Sequence, residues 1–210
     1  MESLVVIGAS VGGLQALSII VACLPANFPA PILVVTHVGA RQSVLPEILS
    51  ACCALPVRHA RDGELVQAGS ILLAPPDWHM PVVMHAGICS IALNHGARES
   101  YTRPAINPLF RSAANVYGVN AIGVILSGYL DDGTAGMLAI KQGGGKTVVQ
   151  QPFDAMAASM PQSALDNVDI DWCLPAARIG PLLLALLMPL QAVPSPFSLL
   201  HNAKLGPVEP

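Results

Sequence analysis

Apolar residues in this chain come in short runs, and the spacing within each run separates strands from helices. Residues 4–7 are an unbroken Leu-Val-Val-Ile run that ends in a Gly-rich turn, Gly8-Ala9-Ser10-Val11-Gly12-Gly13. Such a run, too short for a helix and without polar alternation, is the pattern of a strand buried on both faces. Residues 14–24 follow with apolar positions at helical spacing. The couplet recurs: a strand-like run at 32–36 ends at His37, and 44–54 has helical spacing. Further strand-like runs occupy 70–74, 121–126 and 146–150, with a helix-compatible stretch at 134–142 between the last two. Strands alternating with helices predict a doubly wound α/β fold: a mostly parallel sheet with helices on both faces. One antiparallel hairpin is expected where 80–85 and 88–94 flank Ala86-Gly87.

Composition raises the question of a membrane, because 53% of residues are hydrophobic and only 11% charged. The longest nearly apolar stretches, 14–24 and 179–190, are about a dozen residues each, whereas a bilayer span takes roughly 20. They read as buried helices, and the chain is not expected to be membrane-embedded. No basic segment precedes an apolar one at the start, so no secretory signal is predicted and a cytoplasmic location is expected. Residues 1–190 contain no linker and read as one domain, followed by a Pro-rich tail over 191–210. A net charge of −3 without a basic stripe argues against nucleic acid as a partner. Five cysteines, an odd number without a CxxC pair, suggest neither a disulfide framework nor a zinc site, and buried free thiols are the expectation.

In a doubly wound sheet ligands bind beyond the carboxyl ends of the strands, so the residues just after each strand are the candidates for chemistry. Ser10 lies in a G-x-S-x-G pattern at a strand-to-helix turn, where its hydroxyl stands beside free N–H groups of a helix start. The alternative is that Ser10 only caps that helix. A hydroxyl nucleophile needs a base, itself oriented by a third group. His37 ends the next strand and lies near Ser10 if the two strands are neighbours; His79, at another strand end, competes for the role. His59, His85 and His95 fall in or beside the hairpin region. The run from Leu126 to Gly136 offers Asp131 and Asp132 directly after a strand, although Asp is equally at home in a helix-entry turn.

Taken together, several segments resemble the catalytic domain of the chemotaxis-type protein-glutamate methylesterase family. They are Val6-Ile-Gly-Ala-Ser-Val-Gly-Gly13, Thr36-His37, residues 73–80, residues 102–113, residues 126–137 and Met160-Pro161, all in the family's order. The resemblance spans about 4–185 and implies a chain order of Ser, His, Asp, unlike ordinary α/β-hydrolases. It implies Ser10 as nucleophile, His37 as general base and Asp132, rather than Asp131, as orienting carboxylate. Backbone N–H groups at Val11 and Tyr129 would form the oxyanion site, and Arg103 would either position substrate or hold its loop. No metal or organic cofactor is implied, and the partner would be a methylated chemoreceptor-like protein.

Two departures bear on specificity: Val11 replaces a hydroxyl residue, and Tyr129-Leu130 replaces a Met-Gly pair. The family's receiver domain has no counterpart before residue 4, so either that regulation is lacking, the chain is part of something longer, or a separate regulator acts. Other readings stay open: a hydrolase of a different ester, glutamine deamidation, and a non-catalytic homologue that binds a receptor-like helix. A nucleotide-binding module is disfavoured, because Gly8-Ala-Ser lacks G-x-G and Gly143-Gly-Gly-Lys-Thr147 has Ile140 where a phosphate loop needs Gly.

Overall fold

A computed structural model describes residues 2–37 and 43–188. The Pro-rich segment 191–210 therefore lies outside the described residues. Seven parallel strands form one sheet: β1 (Leu4–Ala9), β2 (Ile32–Thr36), β3 (Val57–His59), β4 (Ile71–Leu73), β7 (Ala121–Ile125), β8 (Lys146–Gln150) and β9 (Trp172–Leu174). Their order is β3-β4-β2-β1-β7-β8-β9. The remaining strands, β5 (Val82–His85) and β6 (Ile88–Ile91), pair antiparallel around Ala86-Gly87, as expected.

The unbroken apolar runs have a direct cause in this layering. In β1, Leu4 and Val6 enter the core on one face while Val5, Ile7 and Ala9 enter the core on the other. In β2, Leu33 and Val35 divide from Ile32 and Val34 in the same way. A strand with helices on both faces has no solvent side on which a polar residue would gain. The first face is covered by α3 (Ile106–Tyr117), α4 (Thr134–Gln142), α5 (Ser159–Asn167) and the hairpin; the second by α1 (Gly13–Ala22), α2 (Leu45–Ser50) and α6 (Ala176–Leu187). Phe28, on the second face, and Phe110, on the first, are among the largest fully buried side chains. Among the described residues no helix is long and apolar enough to cross a membrane.

Several expectations need correction. The helical stretch 44–54 shortens to Leu45–Ser50, and the one at 179–190 shifts to Ala176–Leu187, ending before Pro189. His59 is not in the hairpin region but ends β3, at the edge of the main sheet opposite Leu73. The cysteines are free, but none is buried: Cys23, Cys52 and Cys173 are exposed, and Cys53 and Cys89 half-buried. Three-residue strands such as β3 and β9 carry too few positions for any periodicity to register.

Candidate active site

The strand order reverses around β1, which has β2 on one side and β7 on the other, and the candidate residues gather at that switch point. Parallel pairing sets Ala9 opposite Thr36 and Gly8 opposite Ile125. The residues after these strands are therefore neighbours at one edge: Ser10 after β1, His37 after β2, and the turn leading to Asp132 after β7. The backbone locks the first two, since His37 N–H donates to Ala9 O at 3.2 Å and Ser10 N–H to Ser127 O at 2.9 Å.

His37 Nδ1 stands 3.1 Å from Ser10 Oγ, and His37 Nε2 stands 2.8 Å from Asp132 Oδ2. The ring thus faces the serine with Nδ1, the reverse of the chymotrypsin arrangement. Its neutral form must carry the proton on Nε2, because the carboxylate can only accept; Nδ1 is left with a lone pair aimed at the hydroxyl. The His37 side chain is 13% exposed and that of Asp132 only 1%.

A carboxylate buried this deeply needs donors, and the start of α3 supplies them. Ile106 N–H donates to Oδ2 at 2.7 Å and Asn107 N–H to Oδ1 at 3.1 Å. The carboxylate thereby sits at the positive end of the α3 dipole. Asp131, its neighbour, is exposed, and of the two acids it is Asp132 that contacts His37.

Ser10 does not cap α1. The cap position is Gly12, with φ 76° and no side-chain cap, and a Cβ there would meet Met156 Cβ at 2.4 Å. Glycine is required for both the left-handed backbone and the close approach. Gly128 is needed for space alone: a Cβ would lie 2.8 Å from Ser10 Cβ and 2.7 Å from the Met160 sulfur. That approach brings the 128–130 turn against the serine. The Val11 and Tyr129 N–H groups have no hydrogen-bond partner among the described residues, and the two residues are 46% and 61% exposed.

Arg103 spends its guanidinium on its own loop, donating to Asp77 Oδ1 at 3.0 Å and to the carbonyls of His95 and Gly96 at 3.2 and 2.9 Å. Of the two roles considered, this geometry favours holding the loop. His79 is likewise occupied: it is 3% exposed, Nε2 faces Ala97 O at 2.9 Å, and Nδ1 accepts from Ala105 N–H at 3.2 Å.

Sequence reasoning missed Ser127, which is fully buried. Its hydroxyl donates to Val11 O at 2.7 Å and accepts from Ala157 N–H at 2.9 Å, and its N–H donates to Gln150 Oε1 at 2.9 Å. It also missed Thr102, whose Oγ1 lies 3.3 Å from His37 Nε2. Its position in the 102–113 segment was the only signal for Thr102.

Fold and site together define a class: doubly wound α/β proteins that hold serine, histidine and carboxylate in contact at the carboxyl edge of a parallel sheet. Within that class the chain belongs to the CheB methylesterase family, whose model matches residues 5–183. The catalytic domain of the Thermotoga maritima CheB methylesterase, known from a crystal structure, has a TM-score of 0.86 to this chain at 34% identity, covering 89% of this chain and 99% of that one. A Leptospira interrogans protein, provisionally named protein-glutamate methylesterase/protein-glutamine glutaminase, is 36% identical over 183 residues, which is 87% of this chain and 93% of its own length. A Bordetella parapertussis protein named protein-glutamate methylesterase/protein-glutamine glutaminase is 39% identical over 181 residues, and there the chain spans about half of the relative, 51%.

Proposed function

We propose that this chain hydrolyses glutamyl methyl esters on a chemoreceptor-like protein, with Ser10 as nucleophile, His37 as general base and Asp132 as the carboxylate that orients it. The observation that carries this reading is the continuous line of contacts from Ser10 Oγ through both ring nitrogens of His37 to Asp132 Oδ2, in a chain of the CheB methylesterase family. The catalytic unit is residues 1–190, and the location is the cytoplasm.

The reaction runs through an acyl-enzyme. Ser10 Oγ attacks the ester carbonyl as its proton passes to His37 Nδ1, and the imidazolium is held by Asp132. Collapse of the tetrahedral intermediate breaks the C–O bond to methanol, which takes the proton from Nδ1. Water then attacks the acyl-enzyme and gives one proton to Nδ1, the serine leaves with that proton, and the glutamic acid side chain formed releases its remaining proton to solvent as the carboxylate. The N–H groups of Val11 and Tyr129 stabilise the oxyanion; losing one such donor costs about 3–4 kcal/mol in comparable enzymes. Arg103 holds the 77–96 loop region through Asp77, and no metal or cofactor enters a step. A separate regulator would act on this unit from outside it.

Glutamine deamidation is the companion reading, favoured by the double name of the relatives. The same steps apply, with ammonia as the leaving group. The deciding experiment is labelling by a fluorophosphonate probe, comparing wild type with Ser10→Ala and His37→Ala, followed by methanol and ammonia release from methylated and amidated receptor fragments. Labelling that requires both residues is expected. Absence of labelling in well-folded wild type would leave a binding module.

A further inference from the structure

We infer that Thr102 is a positioning residue for His37, acting as a second acceptor for the Nε2 proton and held in place by a strained two-residue turn. The inference rests on the hydrolase reading above and deepens it.

The Thr102 hydroxyl has one proton and three neighbours to share it with. Glu99 O lies at 3.1 Å, Asp132 Oδ2 at 3.5 Å, and His37 Nε2, itself protonated, at 3.3 Å. The shortest contact to an acceptor takes the proton, so Thr102 donates to Glu99 O. Its lone pairs then face the His37 Nε2–H, which is bifurcated between Asp132 Oδ2 and Thr102 Oγ1. An acceptor on either side of the N–H bond resists rotation of the ring. It also adds an oxygen dipole that stabilises the imidazolium when Ser10 gives up its proton.

The turn that presents Thr102 is costly. Glu99 and Thr102 exchange both backbone hydrogen bonds, at 3.2 and 2.9 Å, around Ser100 and Tyr101. Both central residues have positive φ, 46° and 64°. Two-residue turns of this hand ordinarily use Asn-Gly or Gly-Gly, because a side chain in the left-handed region crowds the following carbonyl. The turn is also clamped from outside, since Arg111 on α3 donates to both carboxylate oxygens of Glu99 at 2.7 and 2.8 Å. Backbone strain kept in place by such a clamp, next in sequence to the side chain that contacts His37, is the pattern expected where position matters more than local stability.

The test compares whole-chain wild type with Thr102→Val and Thr102→Ser by two readouts. The first is the nitrogen and bound-proton NMR signal of the His37 ring, which needs no substrate. The second is the rate of fluorophosphonate labelling. In Thr102→Val the Nε2 signals are expected to move from their wild-type positions and labelling to slow about 5- to 10-fold. Thr102→Ser, which keeps the hydroxyl and loses only the methyl, should restore both. Ring signals that are unchanged in Thr102→Val, or Ser behaving like Val, would overturn the inference. If wild type is not labelled at all, the hydrolase reading falls, while the ring signals still decide whether Thr102 positions His37.

Discussion

Asp132 and Asn107 each secure the start of the other's helix. The Asp132 carboxylate, just before α4, accepts from the first two N–H groups of α3, while the Asn107 side-chain oxygen, in the first turn of α3, accepts from Gly133 and Gly136 N–H at 3.1 and 2.8 Å. The catalytic carboxylate proposed here is thus also part of the joint between two packed helices. Its position depends on four hydrogen bonds besides any made to His37.

Asn107→Ala should therefore destabilise the protein by about 1–3 kcal/mol, because it strands two buried N–H groups. Thermal unfolding would measure the loss. A slower labelling rate should accompany it, since the 132–136 turn loses its anchor.

For Asp132→Asn the prediction separates chemistry from stability. An amide cannot hold the His37 proton on Nε2 as a carboxylate does, and the matching substitution in serine proteases lowers kcat by about four orders of magnitude. Ester turnover should fall on that scale. Stability should fall too, because one face of the amide now presents N–H to a helix N-terminus.

Ser127→Ala removes no group that touches substrate, yet it takes away the partner of Val11 O and of the buried Ala157 N–H. The expected cost is about 1–3 kcal/mol in unfolding free energy. A disproportionate loss in kcat, relative to KM, would be the sign that the Val11 backbone is held there for oxyanion binding.

Asp171 gives a pH test away from the site. Burial pushes its carboxyl up, but hydrogen bonds from Lys141 and from the Thr147 N–H and hydroxyl outweigh this and leave it below its ordinary value of 3.8. A depressed folded value means the stabilisation is full above pH ~4 and is lost as pH falls through the folded value. Urea unfolding of wild type against Asp171→Asn should show wild type the more stable at pH 7, with the gap closing below pH ~4.

Much of the fold can be read from the chain because its strands are buried on both faces. The runs at 32–36 and 146–150 and the helix at 134–142 appear with the predicted bounds. Residues 106–117 were not read as a helix, since Pro108 and Asn107 obscure a start whose cap comes from Asp132 and not from a neighbouring residue. For the cysteines, hydrophobic character suggested burial, but side-chain type says nothing of place in the fold: Cys23, Cys52 and Cys53 fall just past the ends of α1 and α2, and Cys89 and Cys173 lie on the short strands β6 and β9.

The sequence alone determined the alternation of strands and helices, the hairpin turn, and the placing of Ser10, His37 and an Asp-Asp pair after strands. These follow from local periodicity and from turn chemistry, which act over a few residues. Only the tertiary structure decided that β7 pairs with β1, which ring nitrogen faces the serine, that Asp132 and not Asp131 reaches His37, and that Thr102 stands beside them. Those are relations between residues 27 to 117 positions apart in the chain, set by packing and buried hydrogen bonds that no local pattern encodes.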